Sequence, residues 1–224
     1  LDEIAALASP ATRLIFIDNP NNPTGTLLSR DRLNGFLAKL PDHLIVVLDE
    51  AYIDFVDRDQ RYDTLSLLDE RQGRCAVVLL RTFSKAFGLA GLRIGFGIMA
   101  APLAACLHKV RQPFNINLIA QQGALAALSD DDFYELTLRK TAAGKRYLTE
   151  GVGQLGCTPF PSQTNFFLID VHTDATALYE VMLKKGVIVR SMKAYGFPTY
   201  IRINVGLESE NRRFLEALEN VLSP

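Results

Sequence analysis

The stretch that decides the fold is an apolar run followed by a loop with a lysine at its centre: Cys75-Ala76-Val77-Val78-Leu79-Leu80, then Arg81, then Thr82-Phe83-Ser84-Lys85-Ala86-Phe87-Gly88-Leu89-Ala90-Gly91-Leu92-Arg93. An unbroken run rich in valine and leucine predicts a buried strand. Lysine is mostly a surface residue. Lys85, however, is flanked by two hydroxyls, small residues and aromatics, which is not typical of a surface. The stretch therefore predicts a strand whose carboxyl end delivers Lys85 into a pocket.

Similar apolar runs and helical patterns continue on either side of this stretch. Further strands are predicted at 13–18, 43–48 and 93–98, and Ser29 is predicted to cap a helix that ends near Lys39. Strands alternating with helical patterns indicate βαβ units, hence a mostly parallel sheet covered on both faces. From about 102 to 156 the chain is predicted to be helical. Strands at 165–171 and 200–205, with helices at 174–185 and 208–222, predict a smaller α+β unit. The predicted fold class is therefore α/β.

The composition excludes several classes of function. Lys and Arg total 24 against 25 Asp and Glu, so the net charge of -1 provides no basic surface for nucleic acid or membrane lipids. The three cysteines are scattered, and no export signal opens the chain, which favours reduced thiols in a cytoplasmic protein. The three histidines have no partners at metal-ligand spacing, so no metal site is expected.

Two further polar segments follow predicted strands, where the ligands of open α/β sheets bind. The first is Asn19-Pro20-Asn21-Asn22-Pro23-Thr24-Gly25, which by itself is more typical of an ordinary turn. The second is Asp49-Glu50-Ala51-Tyr52. A carboxylate at Asp49 can simply cap the following turn. It can also face a pyridine nitrogen and keep it protonated, with the Tyr52 hydroxyl donating to the oxygen on the same ring.

Taken in order, the three segments resemble the fold-type I family of pyridoxal-phosphate (PLP) aminotransferases. The lysine segment matches that family's signature position by position, and the Asn-Pro-Thr-Gly and Asp-x-x-Tyr motifs occur there in the same order. The resemblance implies a fold-type I PLP-dependent transferase. It divides the chain into part of the large PLP-binding domain at 1–128, an interdomain helix at 129–156 and a small domain at 157–224.

The resemblance also implies roles for individual residues. Lys85 corresponds to the lysine that forms a Schiff base with PLP and then moves the proton between the α-carbon and C4′. Asp49 would pair with the pyridinium nitrogen, while Asn22 and Tyr52 would hydrogen-bond the phenolic oxygen. The cofactor phosphate would be held by three residues: Thr82, Ser84 and Arg93. The catalytic set is thus Lys85, Asp49 and Tyr52.

Two arginines near the C-terminus are candidates for substrate binding. Arg202 alternates with apolar neighbours in Tyr200–Gly206, and Arg190 closes the run Gly186–Arg190. Each can equally be a solvated charge on a strand. In the family, an arginine in the setting of Arg202 clamps the substrate carboxylate, a task that suits its planar fork.

This region, together with Ser162–Phe167 and Tyr195–Pro198, resembles the histidinol-phosphate aminotransferases. The implied reaction converts histidinol phosphate and 2-oxoglutarate into imidazole-acetol phosphate and glutamate, in histidine biosynthesis. Aromatic and broad-specificity aminotransferases share the same catalytic motifs, and a threonine-phosphate decarboxylase is also similar. The expected partners are therefore a small amino donor and a 2-oxo acid, in a homodimer.

The start of the sequence leads to one further expectation. The chain opens at Leu1, without Met, in what is predicted to be the end of a helix. We expect a partial chain that lacks the family's N-terminal region, with its glycine-containing phosphate loop, its stacking aromatic and its dimer arm. An alternative of another class is therefore a non-catalytic partial polypeptide that retains site residues without a complete site.

Overall fold

The computed structural model describes residues 1–69 and 75–222. The chain divides into two compact units. The first unit contains Leu1–Pro20 and Leu27–Tyr134, and the second contains Asn21–Thr26 and Glu135–Pro224. The short segment Asn21–Thr26 thus belongs to the C-terminal unit, although it lies near the start of the sequence.

The first unit is built on a four-stranded sheet in which the order along the sheet is the order along the chain. Its strands are β1 (Leu14–Asp18), β2 (Ile45–Asp49), β3 (Ala76–Thr82) and β4 (Gly95–Ile98). β1, β2 and β3 are parallel, and β4 runs antiparallel to β3. The prediction of a mostly parallel sheet is confirmed. Because the parallel strands are in register, their carboxyl ends meet at one edge.

Helices of the first unit are α1 (Asp2–Leu7), α2 (Arg30–Ala38), α3 (Ser66–Asp69), α4 (Ala101–Val110) and α5 (Leu118–Ala127). Ser29 accepts a hydrogen bond from the Arg32 amide and caps α2, as predicted. α2 buries Leu33, Phe36 and Leu37 in one core with the inward residues of β1, β2 and β3. Burial of apolar surface stabilises a fold by roughly 25 cal/mol per Å², so the burial of these three side chains holds α2 on the sheet.

Two details differ from the prediction. Arg93 was expected to begin the fourth strand, but it adopts a left-handed conformation with φ 54° after a short 3₁₀ turn, and β4 begins at Gly95. Cover on both faces was also expected. On β1, however, Leu14 and Phe16 are 51% and 69% exposed, whereas Ile15 and Ile17 are buried. β1 is an edge strand, and its outward residues are not covered in this unit.

The second unit contains most of α6 (Asp131–Gln154), followed by β5 (Thr158–Pro159), β6 (Phe166–Asp170), α7 (Ala175–Lys184), β7 (Arg190–Ser191), β8 (Tyr200–Asn204) and α8 (Glu208–Leu222). Its sheet is antiparallel in the order β5-β6-β8-β7. The core side chains come from both helices and strands: Leu148, Val152, Phe167, Ile169, Leu178, Met182, Ile201, Ile203, Phe214 and Leu218. This smaller α+β unit agrees with the prediction.

Candidate active site

The carboxyl ends of β2 and β3 line an open cavity of about 370 Å³ in the first unit. It gathers five of the residues singled out in the sequence: Asp49, Thr82, Ser84, Lys85 and Arg93. Asp49 is the last residue of β2 and Thr82 the last of β3, so the strand register itself brings the two motifs together.

Asp49 is exposed to the cavity, and its Oδ1 accepts a hydrogen bond from the Ala51 amide at 3.0 Å. The carboxylate thus caps the turn that follows β2, which was the simpler of its two interpretations. Capping engages one oxygen of the carboxylate and leaves its charge facing the cavity. The two interpretations are therefore compatible in this structure.

Lys85 lies in a tight loop held by its own backbone. The Gly88 amide donates to the Lys85 carbonyl at 3.0 Å, and the Leu89 amide donates to the Phe83 carbonyl at 2.9 Å. Gly88 has φ +69°, a conformation that glycine adopts without strain. The loop is anchored by the packed rings of Phe83 and Phe87, whose centroids are 5.0 Å apart. A lysine on so constrained a loop is held in place at the cavity.

Tyr52 approaches the lysine from the β2 side. The Lys85 Nζ lies 5.3 Å from the centroid of the Tyr52 ring, within the range of a cation–π contact. Both side chains are half-buried. The Asp-x-x-Tyr motif and the lysine segment are therefore joined by a direct side-chain contact.

The remaining groups at this cavity supply hydrogen-bond donors. The Ser84 amide donates to Thr82 Oγ1 at 3.1 Å, which fixes the two hydroxyl-bearing residues relative to each other. Arg93 is exposed, and its Nη1 donates to the Ala90 carbonyl at 2.9 Å. Hydroxyls, a guanidinium, an amine and a carboxylate around one cavity fit a phosphorylated pyridine aldehyde, since each charged or polar part of such a molecule finds a complementary group.

Asn22 and the two predicted substrate arginines belong to the second unit. The Asn22 amide oxygen accepts a hydrogen bond from Arg202 Nη1. The loop that carries Asn22 is closed by the Asn21 amide, which donates to the Thr26 carbonyl at 2.8 Å. Arg202 also lies over the Phe166 ring, with its Cζ 4.8 Å from the centroid. Stacking and hydrogen bonding together orient its guanidinium.

Arg190 and Arg202 are paired directly across β7 and β8. Both line a cavity of about 560 Å³. Arg190 donates to the Tyr195 hydroxyl at 3.3 Å and lies 5.7 Å from the centre of that ring. Directly opposed like charges repel each other. Two guanidinium groups that line one cavity supply the donors that an anionic ligand requires.

The structure adds charged groups to the first unit that the sequence did not single out as functional. Glu50 is buried, and its Oε2 accepts a hydrogen bond from Arg81 Nε at 2.9 Å. The Tyr134 hydroxyl donates to Asp54 Oδ1 at 2.8 Å. Burial raises the pKa of both carboxyls, while their hydrogen bonds lower it. The only sequence signal for Glu50 was its place beside Asp49 at the end of a buried strand.

Across residues 1–69 and 75–222, no cluster of three or more His, Cys, Asp or Glu side chains is placed to hold a metal ion. Over the same ranges, no helix has the length and apolar character required to cross a membrane.

Comparison with known proteins identifies the family. Residues 2–218 match the family described as aminotransferase class I and II. The histidinol-phosphate aminotransferase of Desulfotalea psychrophila is 59% identical over 222 residues, which are 99% of this chain and 59% of that protein. This chain therefore spans about three fifths of the length of that relative.

Solved structures agree with this match. The crystal structure of histidinol-phosphate aminotransferase from Sinorhizobium meliloti, in complex with pyridoxal-5'-phosphate, is 32% identical with a TM-score of 0.85, covering 93% of this chain and 57% of that one. The L-threonine-O-3-phosphate decarboxylase from Porphyromonas gingivalis is 26% identical with a TM-score of 0.81, covering 98% and 67%.

The fold and the lysine cavity together define the class: an α/β protein with the fold-type I architecture of PLP-dependent transferases, as the sequence predicted. Within that class, the chain belongs to the aminotransferase class I and II family.

Proposed function

We propose that this chain is the lysine-bearing part of a PLP-dependent aminotransferase that acts on histidinol phosphate and 2-oxoglutarate. The observation that carries the proposal is the single cavity at which Asp49, Lys85 and Arg93 meet. The named relatives support the substrate, since the Desulfotalea psychrophila protein at 59% identity is a histidinol-phosphate aminotransferase. On this proposal the product pair is imidazole-acetol phosphate and glutamate.

Each residue at the cavity has a role that its chemistry suits. When bound, PLP supplies an electron sink for the bond being broken at the substrate α-carbon. Lys85 provides the amine that holds the cofactor covalently and afterwards carries the proton. Asp49 keeps the ring nitrogen protonated, and Tyr52 donates to the ring oxygen. The phosphate is held by donors from the lysine loop: Thr82, Ser84 and Arg93.

The second unit would contribute the substrate clamp. Histidinol phosphate carries a phosphate and no α-carboxylate, whereas glutamate carries two carboxylates. Arg190 and Arg202, paired across β7 and β8, can serve both anions in turn because a guanidinium forms bidentate bonds with phosphate and carboxylate alike. Asn22 would act beside Arg202, donating its amide N–H to the ring oxygen while its carbonyl accepts from the arginine.

The proposal extends to the domain boundaries, the cellular compartment and the oligomeric state. We assign 1–128 to the large PLP-binding domain, 129–156 to the interdomain helix and 157–224 to the small domain. Residues 223 and 224, at the end of that last range, lie outside the described residues. The functional protein is proposed to be a cytoplasmic homodimer, as the resemblance to the fold-type I aminotransferases implies.

The deciding experiment is to incubate the purified chain with PLP, reduce it with borohydride and map the modified peptide by mass spectrometry. A pyridoxyl adduct confined to Lys85 is expected, and it should be lost in Lys85→Ala but retained in the control Lys109→Ala, whose lysine is exposed on α4. An adduct retained by Lys85→Ala, or spread over several lysines, would refute the assignment. A folded chain without adduct would favour the non-catalytic partial chain.

A second candidate is decarboxylation of threonine phosphate. It is favoured by the likeness to the Porphyromonas gingivalis decarboxylase, which has the same fold with a TM-score of 0.81 at 26% identity. The two arginines do not separate the candidates, because both substrates carry phosphate. The discriminating assay supplies each substrate with PLP and measures glutamate formed against carbon dioxide released. Carbon dioxide without amino transfer would overturn the aminotransferase proposal.

A further inference from the structure

One partly buried ion pair, between Glu50 and Arg81, lies next to the proposed site and has no role in the proposed chemistry. The side chain of Glu50 is fully buried, and its Oε2 accepts from Arg81 Nε at 2.9 Å. Arg81 also donates to Thr64 Oγ1 at 3.3 Å. Among the described residues, Glu50 Oε1 has no hydrogen-bond partner. A buried carboxylate with one unsatisfied oxygen is weak evidence of a purely stabilising role, because desolvation offsets much of the attraction in a buried pair.

The position of the pair in the sequence suggests what it does. Glu50 directly follows Asp49 at the end of β2, and Arg81 directly precedes Thr82 at the end of β3. Because successive residues of an extended chain point to opposite faces, Glu50 is buried where Asp49 is exposed. Glu50 therefore lies immediately behind Asp49, away from the lysine cavity, while Arg81 reaches the rim of that cavity.

The backbone joins the two strands at the same place. The Glu50 amide donates to the Leu80 carbonyl at 2.8 Å, and Asp49 is paired with Leu80 in the strand register. Strand ends generally fray, because the last residues have few neighbours to hold them. Here the ion pair adds a side-chain link one residue beyond the last register pair, where the lysine loop begins.

Arg81 also connects two cavities. It lines the cavity of Lys85 and a second one of about 500 Å³ that contains Asp54, Tyr62 and Tyr134. Its side chain is 29% exposed, whereas that of Glu50 is 0% exposed. Glu50 is thus the fixed member of the pair, and it holds a partly accessible arginine at the rim of the site.

We propose that the Glu50–Arg81 ion pair is a positioning element: it fixes the carboxyl ends of β2 and β3 relative to each other, and with them Asp49 on one strand and the Thr82–Lys85 segment on the other. Neither residue touches the reacting atoms. The consequence for PLP binding rests on the proposed function, whereas the placement of the strand ends does not.

The first test measures placement without any cofactor. Amide hydrogen exchange is compared in the wild-type chain, Glu50→Gln and Leu33→Ala, a core control on α2. The reporters at the carboxyl ends are the amides of residue 50, which bonds to Leu80, and Phe83, which bonds to Ile94 at 3.2 Å. The reference at the opposite end is the Ala76 amide, which bonds to Leu44 at 3.0 Å.

In Glu50→Gln, exchange at the two reporters should rise on the order of tenfold while Ala76 stays within about twofold of wild type, since local opening is separable from global unfolding. Leu33→Ala should accelerate reporters and reference together. If Glu50→Gln accelerated exchange equally at the two reporters and at Ala76, or left exchange unchanged at all three, the proposal would be overturned. This result is independent of whether the chain binds PLP.

The second test measures the consequence for the site. PLP dissociation constants and the yield of Lys85 adduct are determined for Glu50→Gln, Arg81→Gln and the double variant. Each single variant should bind PLP on the order of tenfold more weakly, and the double variant no more weakly than the worse single one, because paired residues act as a unit. The proposal would be contradicted if the loss of PLP affinity in the double variant equalled the product of the two single losses. It would also be contradicted if both single variants bound PLP as tightly as the wild type. A wild-type chain without any adduct would instead count against the proposed function and leave the exchange result to decide placement.

Discussion

Arg202 donates a hydrogen bond to the amide oxygen of Asn22, although 180 residues separate them in the sequence. The contact lies within the second compact unit, to which the segment Asn21–Thr26 belongs. Two residues assigned different tasks from the sequence, one at the cofactor ring and one at the substrate anion, are therefore directly coupled. A change in either is expected to affect the other.

Arg202→Ala should weaken substrate binding more than PLP binding. Loss of a charge-assisted hydrogen bond typically costs about 1.5–3 kcal/mol, which corresponds to roughly a tenfold to hundredfold rise in the dissociation constant for histidinol phosphate. PLP affinity should fall less, because only the orientation of Asn22 is affected. Both constants are obtained by titration monitored through cofactor absorbance.

A matched control is Arg213→Ala, because Arg213 lines the same cavity but is not a predicted ligand. That variant should leave both constants near the wild-type values. A larger loss of PLP affinity than of substrate affinity in Arg202→Ala would move Arg202 out of the substrate site.

Asp49→Ala should lose most of the transamination rate, on the order of a hundredfold, because the charge proposed to keep the ring nitrogen protonated is removed. Asp49→Asn is the informative companion, since its amide oxygen can still accept from the Ala51 amide and preserve the turn. Equal losses in the two variants would show that the charge matters. Near-normal turnover in Asp49→Asn would reduce Asp49 to a turn cap.

The elements with strong local signals could be predicted from the sequence. The strands containing Val47, Val78 and Phe167 are continuous apolar runs, and the helix after Ser29 has an N-cap that forms as expected. β5 and β7 were not predicted, because strands of two residues have no periodicity to detect. Their existence depends on the neighbouring strands that pair with them.

The contacts that shape the candidate site depend on residues far apart in the chain. Glu50 and Arg81 are 31 residues apart, and a charged residue in either sequence setting is more typical of a surface. Arg202 and Asn22 are more distant still. The sequence indicated which chemistry was present, but tertiary pairing decides which side chains orient one another.

Asp54→Asn should change stability in a way that depends on pH. Burial raises the pKa of the Asp54 carboxyl, although the Tyr134 hydroxyl that donates to it has the opposite effect. For a carboxyl whose pKa is raised in the folded state, the stability it contributes is fully present at pH values below its ordinary pKa of about 3.9. That contribution is lost as the pH rises through the folded-state pKa. The asparagine variant does not titrate there. The difference in unfolding free energy between wild type and Asp54→Asn should therefore be largest at low pH and shrink as pH rises.

The measurement is urea unfolding across this pH range, with Asp174→Asn as a control of opposite sign. Asp174 caps α7, and amide hydrogen bonds from Ala177 and Thr176, together with Lys193, hold the pKa of its carboxyl below the ordinary value. The stability that the Asp174 carboxylate contributes is present at pH values above its ordinary pKa and is lost as the pH falls through the folded-state pKa. Parallel pH profiles for the two variants would contradict the assignment of burial as the dominant effect at Asp54.

Gly25→Ala should destabilise the second unit through two separable effects. Gly25 has φ +77°, and a methyl group there would lie 2.1 Å from Ser162 Oγ and 2.6 Å from Ser162 Cβ. The left-handed conformation costs about 1–2 kcal/mol for a residue with a side chain. Overpacking against Ser162 adds about 1–3 kcal/mol. The same close approach places the Gly25 carbonyl to accept from the Gln163 amide at 2.8 Å, so the loop that carries Asn22 should loosen as well.

Urea unfolding of three further variants separates the two effects. Gly196 has φ +84°, and an added methyl group there would meet nothing within 4 Å. The variant Gly196→Ala should therefore show only the conformational cost. Ser162→Gly alone measures the loss of the bonds from Ser162 Oγ to Thr164 and Phe166. Once that loss is subtracted, the double variant Gly25→Ala with Ser162→Gly should fall close to the cost seen at Gly196. The two shortest contacts are then gone, while the strained φ and a 3.1 Å contact with the Cα of residue 162 remain. If the double variant lost as much unfolding free energy as the two single variants together, the steric contact between Gly25 and Ser162 would not be what holds this loop.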